Sequence, residues 1–222
     1  MRHLLIIFIL IFSVNGYSLN PVNEMENSLF IKHFSKSERL ELSRIVSFVD
    51  GEVLPKNKYT EINKACHYYL DSIYQLAKSG KHSAISFDEQ RKYEFLFSID
   101  ATLFNKIWKK STSAKIVKTK DTTLYQPQNY ITIDLNYKGQ YVELLKELGG
   151  KNKYYRNLAE NMQLSGGFSP VIFSEFLNSN KNFDFNTIEN RLWASIFLLT
   201  LEESVDMKVK KILNKPKVIS TR

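Results

Sequence analysis

A mostly α fold is predicted by three observations. Apolar residues recur at spacings of three and four along seven or eight separate segments. Three of those segments open with a serine or asparagine followed three residues later by glutamate, the pattern of a helix capping box. Only residues 114–137 exchange the helical period for β-branched residues and strict alternation. The expected architecture is therefore a single-domain, bundle-like fold of seven or eight helices with a small β-hairpin or irregular lobe near 114–137. A boundary inside that lobe, separating two helical units, is the alternative.

The chain starts with a short basic stretch, Met1-Arg2-His3, followed by an apolar run over 4–14 interrupted only by Ser13. This is the pattern of a secretory signal peptide, with cleavage expected after Gly16 or, alternatively, after Ser18. The run is short for a membrane span, so residues 17–222 are expected to be exported without a transmembrane segment, to a periplasmic or secreted location in a bacterium. Removing residues 1–16 takes away Arg2 alone among the charged side chains, leaving one charge fewer than the full chain's +8. Cys66 is the single cysteine, so an intramolecular disulfide is excluded and stability must come from packing.

Taking the rest in order, Leu29, Phe30, Ile31 and Phe34 predict a short first helix. Ser35 and Glu38 form a capping box, and Leu42, Ile45, Val46, Val49 and Val53 continue it as a helix of about fifteen residues that stops before Pro55. Ile62, Ala65, Cys66, Tyr69, Ile73 and Leu76 give the cleanest amphipathic face, ending at Ser79-Gly80. Ser86 and Glu89 predict another box, opening a helix through Tyr93, Leu96, Leu103 and Trp108 to about Lys110. Strict alternation over 131–135 marks a strand. Gly149-Gly150 and Gly166-Gly167 close two further short helices, and Ser169-Pro170 starts another. Finally Asn186 and Glu189 are expected to cap one long helix over 186–213. Residues 192–201 of that helix are apolar on nearly every side, and 202–213 are charged.

Few residues carry recognisable chemistry. The chain lacks a G-x-S-x-G elbow, H-E-x-x-H, a Walker loop, G-x-G-x-x-G, an EF-hand loop and C-x-x-C, which lowers the prior for common hydrolases and nucleotide enzymes. No cofactor or metal is expected. Cys66 and His67 are neighbours, but adjacent helical residues point about 100° apart and do not face each other. Cys66, on the apolar face, reads as a buried structural thiol. His67 and Asp71, four residues apart, could orient an imidazole or hold a metal, or simply share a surface hydrogen bond. Glu202, Glu203 and Asp206 form the densest acidic cluster, a candidate for acid–base chemistry or a solvated face, with Lys210 placed to compensate Asp206.

Positive charge collects over 106–120 and again over 208–222. Lys109, Lys110, Lys115 and Lys118, with Tyr130 and Tyr137 off the clean helical faces, define a candidate recognition surface. Export argues against nucleic acid, so the expected partner is a protein or an anionic envelope component. The function read from sequence is a non-catalytic exported binder of a macromolecular partner, immunity- or inhibitor-like. Hydrolysis of an envelope polymer by carboxylates or His67 is the first alternative, and carriage of a small apolar ligand the second.

Overall fold

The computed structural model describes residues 21–80, 88–112, 114–127 and 130–214, so the expected signal peptide and Ser86 lie outside the described residues. The fold is mostly α with a small β lobe: eleven α-helices and four short strands lie among the described residues. Three of the segments expected as single helices are each broken in two, which accounts for the larger helix count.

The first break falls in 21–34, which forms α1 (Pro21–Glu24) and α2 (Ser28–His33). Asn27 separates them because its side-chain oxygen accepts from the Leu29 and Phe30 amides at 3.1 and 3.2 Å and so starts a new helix. Helix α3 (Lys36–Val53) carries the expected reciprocal box: Ser35 Oγ accepts from the Glu38 amide, and Glu38 accepts from the Ser35 amide at 2.9 Å. Helix α4 (Ile62–Lys78) ends as expected, with Gly80 in the left-handed region that glycine tolerates.

The second break falls within 86–110. Asp88 caps α5 (Glu89–Ser98), and Asp100 caps α6 (Ala101–Ile107) by accepting from Thr102 and Leu103. Trp108, expected inside a helix, instead begins strand β1 (Trp108–Ser111), which pairs antiparallel with β4 (Thr132–Leu135). Strands β2 (Ile116–Lys118) and β3 (Thr123–Tyr125) form a separate antiparallel hairpin. Alternation in β4 places Ile133 and Leu135 inward, as the sequence implied.

Helices α7 (Gln140–Leu148), α8 (Lys153–Ser165) and α9 (Pro170–Ser179) follow the punctuation of Gly149, Gly166 and Ser169-Pro170. The third break corrects the long C-terminal helix: α10 (Ile188–Thr200) and α11 (Val205–Leu213) are distinct. Leu201 is extended, and Ser204 restarts the helix by accepting from the Met207 amide. Nor does Asn186 cap α10. Thr187 holds that position, while Glu189 accepts a long contact from Asn27 Nδ2 at 3.4 Å.

Helix α10 lies at the centre of the core. Every residue from Leu192 to Leu201 is buried, and one hydrophobic cluster extends from Met25 to Leu201. Its two polar residues are satisfied locally: Ser195 Oγ donates to the Arg191 carbonyl, and Thr200 Oγ1 donates to that of Ile196 while accepting from Trp108 Nε1 at 2.9 Å. Phe176 meets Trp193 and Phe197 edge-on, the geometry the ring quadrupoles favour. No described helix is long and apolar enough to cross a membrane.

Candidate functional site

The acidic cluster expected on one helix is divided by the turn between α10 and α11. Glu202 sits in that turn and accepts three hydrogen bonds: from the Ile133 amide at 2.6 Å, the Tyr93 hydroxyl at 3.0 Å and Lys208 Nζ at 2.9 Å. Lys208, 7% exposed, also donates to the Ile131 carbonyl and to Tyr93 Oη, both at 2.9 Å. Lys92 on α5 pairs with Glu89 at 2.9 Å and donates to the Leu201 carbonyl at 2.6 Å.

Two carboxylates, two ammonium groups and a phenol thus neutralise one another. Burial, then the carboxylates of Glu202 and Glu89, push the Tyr93 phenol far above its ordinary range, so it remains a donor. Burial lowers the Lys92 pKa, partly opposed by Glu89. With three donors already on its oxygens, Glu202 is a structural acceptor that joins α5, β4 and α11. Glu203 pairs with Lys211 at 2.7 Å. Asp206 is exposed and makes no ion pair among the described residues, so the expected Asp206–Lys210 compensation is absent.

His67 and Asp71 meet through a third residue. Asn180, 2% exposed, accepts at Oδ1 from His67 Nδ1 at 3.2 Å in the tautomer that protonates this ring nitrogen, and donates from Nδ2 to Asp71 at 3.0 Å. The His67 ring also stands edge-on to Phe185. These contacts fasten α4 to the end of α9, a packing role for the pair. The two acidic neighbourhoods share no partner. Among the described residues no group of three or more His, Cys, Asp or Glu could hold a metal ion.

Cys66 is buried, and desolvation followed by the nearby Asp50 charge pushes its thiol up to about 12, which keeps it unreactive. It borders a cavity of about 10 Å³ beside Asp50 and Arg191, room for a single water at most. Arg191, 2% exposed, lies 3.5 Å from Asp50 and 3.8 Å from Glu24.

The basic surface divides into engaged and free lysines. Lys109 donates to the Gly166 carbonyl at 2.6 Å, pairs with Asp134 at 3.1 Å and lies over the half-buried Tyr137 ring. Lys110 lies 4.3 Å above the Phe97 ring. Lys115 and Lys118 are exposed on the β2–β3 hairpin and make no ion pair among the described residues, as does Lys120 in its turn. Tyr130, expected as an exposed recognition residue, is buried instead. It packs with Val117 and Val209, because the inward Val117–Leu124 pair needs a floor and α11 with Tyr130 supplies it.

The opposite hairpin face carries Ile116 and Tyr125, directly paired across the strands and 61% and 74% exposed. Sequence reasoning missed Tyr125, along with Glu89, Lys92, Arg191 and Asn180. A signal was present for Lys92, which precedes Leu96 by four residues, and for Lys208, which precedes Ile212 by four, both on core-facing positions. No protein-family model, curated protein or solved structure matches the chain.

Proposed function

We propose that this chain is an exported, non-catalytic binding protein that docks an acidic protein surface through the outer face of its β2–β3 hairpin. The supporting observation is the exposed Ile116–Tyr125 pair among Lys115, Lys118 and Lys120, which make no ion pair among the described residues. A tyrosine beside an aliphatic residue offers rigid, low-entropy contact area, and unpaired lysines steer an anionic partner toward it. Lysine on a short edge strand also discourages strand addition, so recognition uses the outward side chains and not the backbone edge. Export rests on the N-terminal sequence pattern alone, and an envelope or extracellular partner follows from it.

Polymer hydrolysis draws no support from the geometry, because His67 and Glu202 are occupied by structural partners on separate elements. Carriage of an apolar ligand draws none either from the buried cavity beside Cys66, which admits no more than a water.

The test uses immobilised full-length protein as bait for envelope and secreted fractions. Wild-type protein should retain a partner that is released as salt rises to about 0.5 M, where screening is nearly complete beyond a few ångströms. Lys115→Glu/Lys118→Glu and Ile116→Ser/Tyr125→Ser should each retain at least about tenfold less. Equal retention by all three proteins would overturn the proposal.

A further inference from the structure

We infer that a second site, remote in sequence from the hairpin and independent of its function, binds a neutral saccharide in the cleft between α2, the α7–α8 turn and the start of α10. The cleft has a volume of about 660 Å³, within the roughly 300–1,000 Å³ range of small-molecule sites. Its charged walls balance, Lys32 and Lys151 against Glu147 and Glu189, so a ligand of large net charge gains nothing there. What the walls offer is a mixture of donors and acceptors over a small apolar floor of Leu29 and Leu148. A sugar ring presents the complement: hydroxyls that each donate and accept, and carbon faces that prefer apolar contact.

The groups that would make the contacts are free or held ready. Among the described residues the Ser28 hydroxyl, the Lys151 ammonium and the Asn152 Nδ2 have no intramolecular partner. One Glu189 oxygen receives only the long contact from Asn27, and the other receives none. Opposite, Glu147 is fixed by Lys32 at 2.7 Å and His33 at 2.8 Å, and His33 is held through its second nitrogen by Gln140 at 2.8 Å. Glu147 therefore presents a carboxylate whose orientation is set before any ligand arrives. Free donors, a free carboxylate oxygen and a second, fixed carboxylate among the lining residues would read the hydroxyl pattern of one or two sugar rings.

The experiment is an amide-resolved NMR titration of the full-length protein with neutral hexose and N-acetylhexosamine oligomers, one to four rings long, and in parallel with zwitterionic dipeptides. A saccharide should shift the amides of Ser28, Asn152 and Glu189 saturably, with a dissociation constant of about 1 mM, as expected for a few hydrogen bonds on a small ligand. Glu189→Gln should weaken binding about tenfold, since a carboxylate accepts hydroxyl hydrogen bonds roughly twice as strongly as a neutral group. Asn152→Asp keeps the oxygen that caps α8 and replaces the free donor by a charged acceptor, so its folding is preserved while binding also weakens. Lys118→Glu on the hairpin should leave the titration unchanged. The inference is overturned if no saccharide shifts these amides saturably, if only the dipeptides do, or if both cleft variants bind as tightly as wild type.

Discussion

Lys92 donates from a buried ammonium to the backbone carbonyl of Leu201, 2.6 Å away, at the residue where α10 ends. In a continuous helix that carbonyl would accept from the amide of Val205. A side chain from a helix 109 residues earlier takes its place, and the chain turns out of helical geometry until Ser204 recaps it.

Replacing Lys92 should therefore be costly. Lys92→Met removes the Glu89 partner at 2.9 Å, leaving Lys208 at 3.7 Å as its cation among the described residues, and takes this donor from the Leu201 carbonyl. Breaking one half of a buried ion pair costs about 3–5 kcal/mol. The urea midpoint of Lys92→Met should fall accordingly, and Lys92→Met/Glu89→Gln should recover part of the loss. A single variant as stable as wild type would show that the ammonium does not hold this junction.

Asp50 supplies a pH signature. Burial, with the negative charge of Glu24 added to it and Arg191 opposing, raises its carboxyl from the ordinary 3.8 to about 6. The folded state thus prefers the protonated form, so this group contributes stability that is fully present below 3.8 and lost as pH rises through 6. Wild type should gain on the order of 2 kcal/mol relative to Asp50→Asn between pH 7 and pH 4. Urea titrations of both proteins at unit pH intervals would read that difference. A gap that stays constant with pH would refute the assignment.

Local signals were legible wherever they acted locally. Ser35 with Glu38, the amphipathic face of α4, Gly166 and Ser169-Pro170 each fix an element through neighbours within four residues, and each lies where the sequence placed it. The breaks at Asp100 and Ser204 were equally local, but the apolar period runs through them and masked the caps. Partners distant in the chain were not legible. Nothing in the sequence joins Lys92 to Leu201, Asn180 to His67 or Tyr155 to Asn190, and a charged residue on an apolar face reads as solvated until its partner is known. The cleft was hidden for the same reason, because its walls come from residues near 28, 150 and 188.

Two adjacent glycines should respond unequally to the same substitution. Gly167 has φ near +146°, and a Cβ there would run into the Asp134 carboxylate, which accepts from the Phe168 amide at 2.7 Å and pairs with Lys109. Gly166 has φ near +73° and open space around it. Gly166→Ala should cost about 1–2 kcal/mol for its left-handed backbone. Gly167→Ala should cost more, about 1–3 kcal/mol for backbone strain together with the displaced ion pair. Thermal melts of the two variants would rank them, and an equal loss would mean that the Asp134 clamp yields freely.

The engaged and free lysines of the β lobe make a final contrast, one that separates folding from recognition. Lys109 bonds the Gly166 carbonyl and Asp134, tying β1 to the α8–α9 loop, whereas Lys115 and Lys118 reach solvent with no ion pair among the described residues. Lys109→Glu places a carboxylate against Asp134 and removes two contacts, so it should destabilise by about 1–3 kcal/mol. Lys115→Glu/Lys118→Glu disturbs neither packing nor pairing and should stay within about 0.5 kcal/mol of wild type. The double variant is then expected to fold normally and to fail only in partner capture, a combination that a purely solvated lysine face would not produce. If it instead melts early, the hairpin lysines contribute to stability, and loss of capture by that variant would say nothing about recognition. Ile116→Ser/Tyr125→Ser, which changes the same face without changing its charge, would then carry the decision.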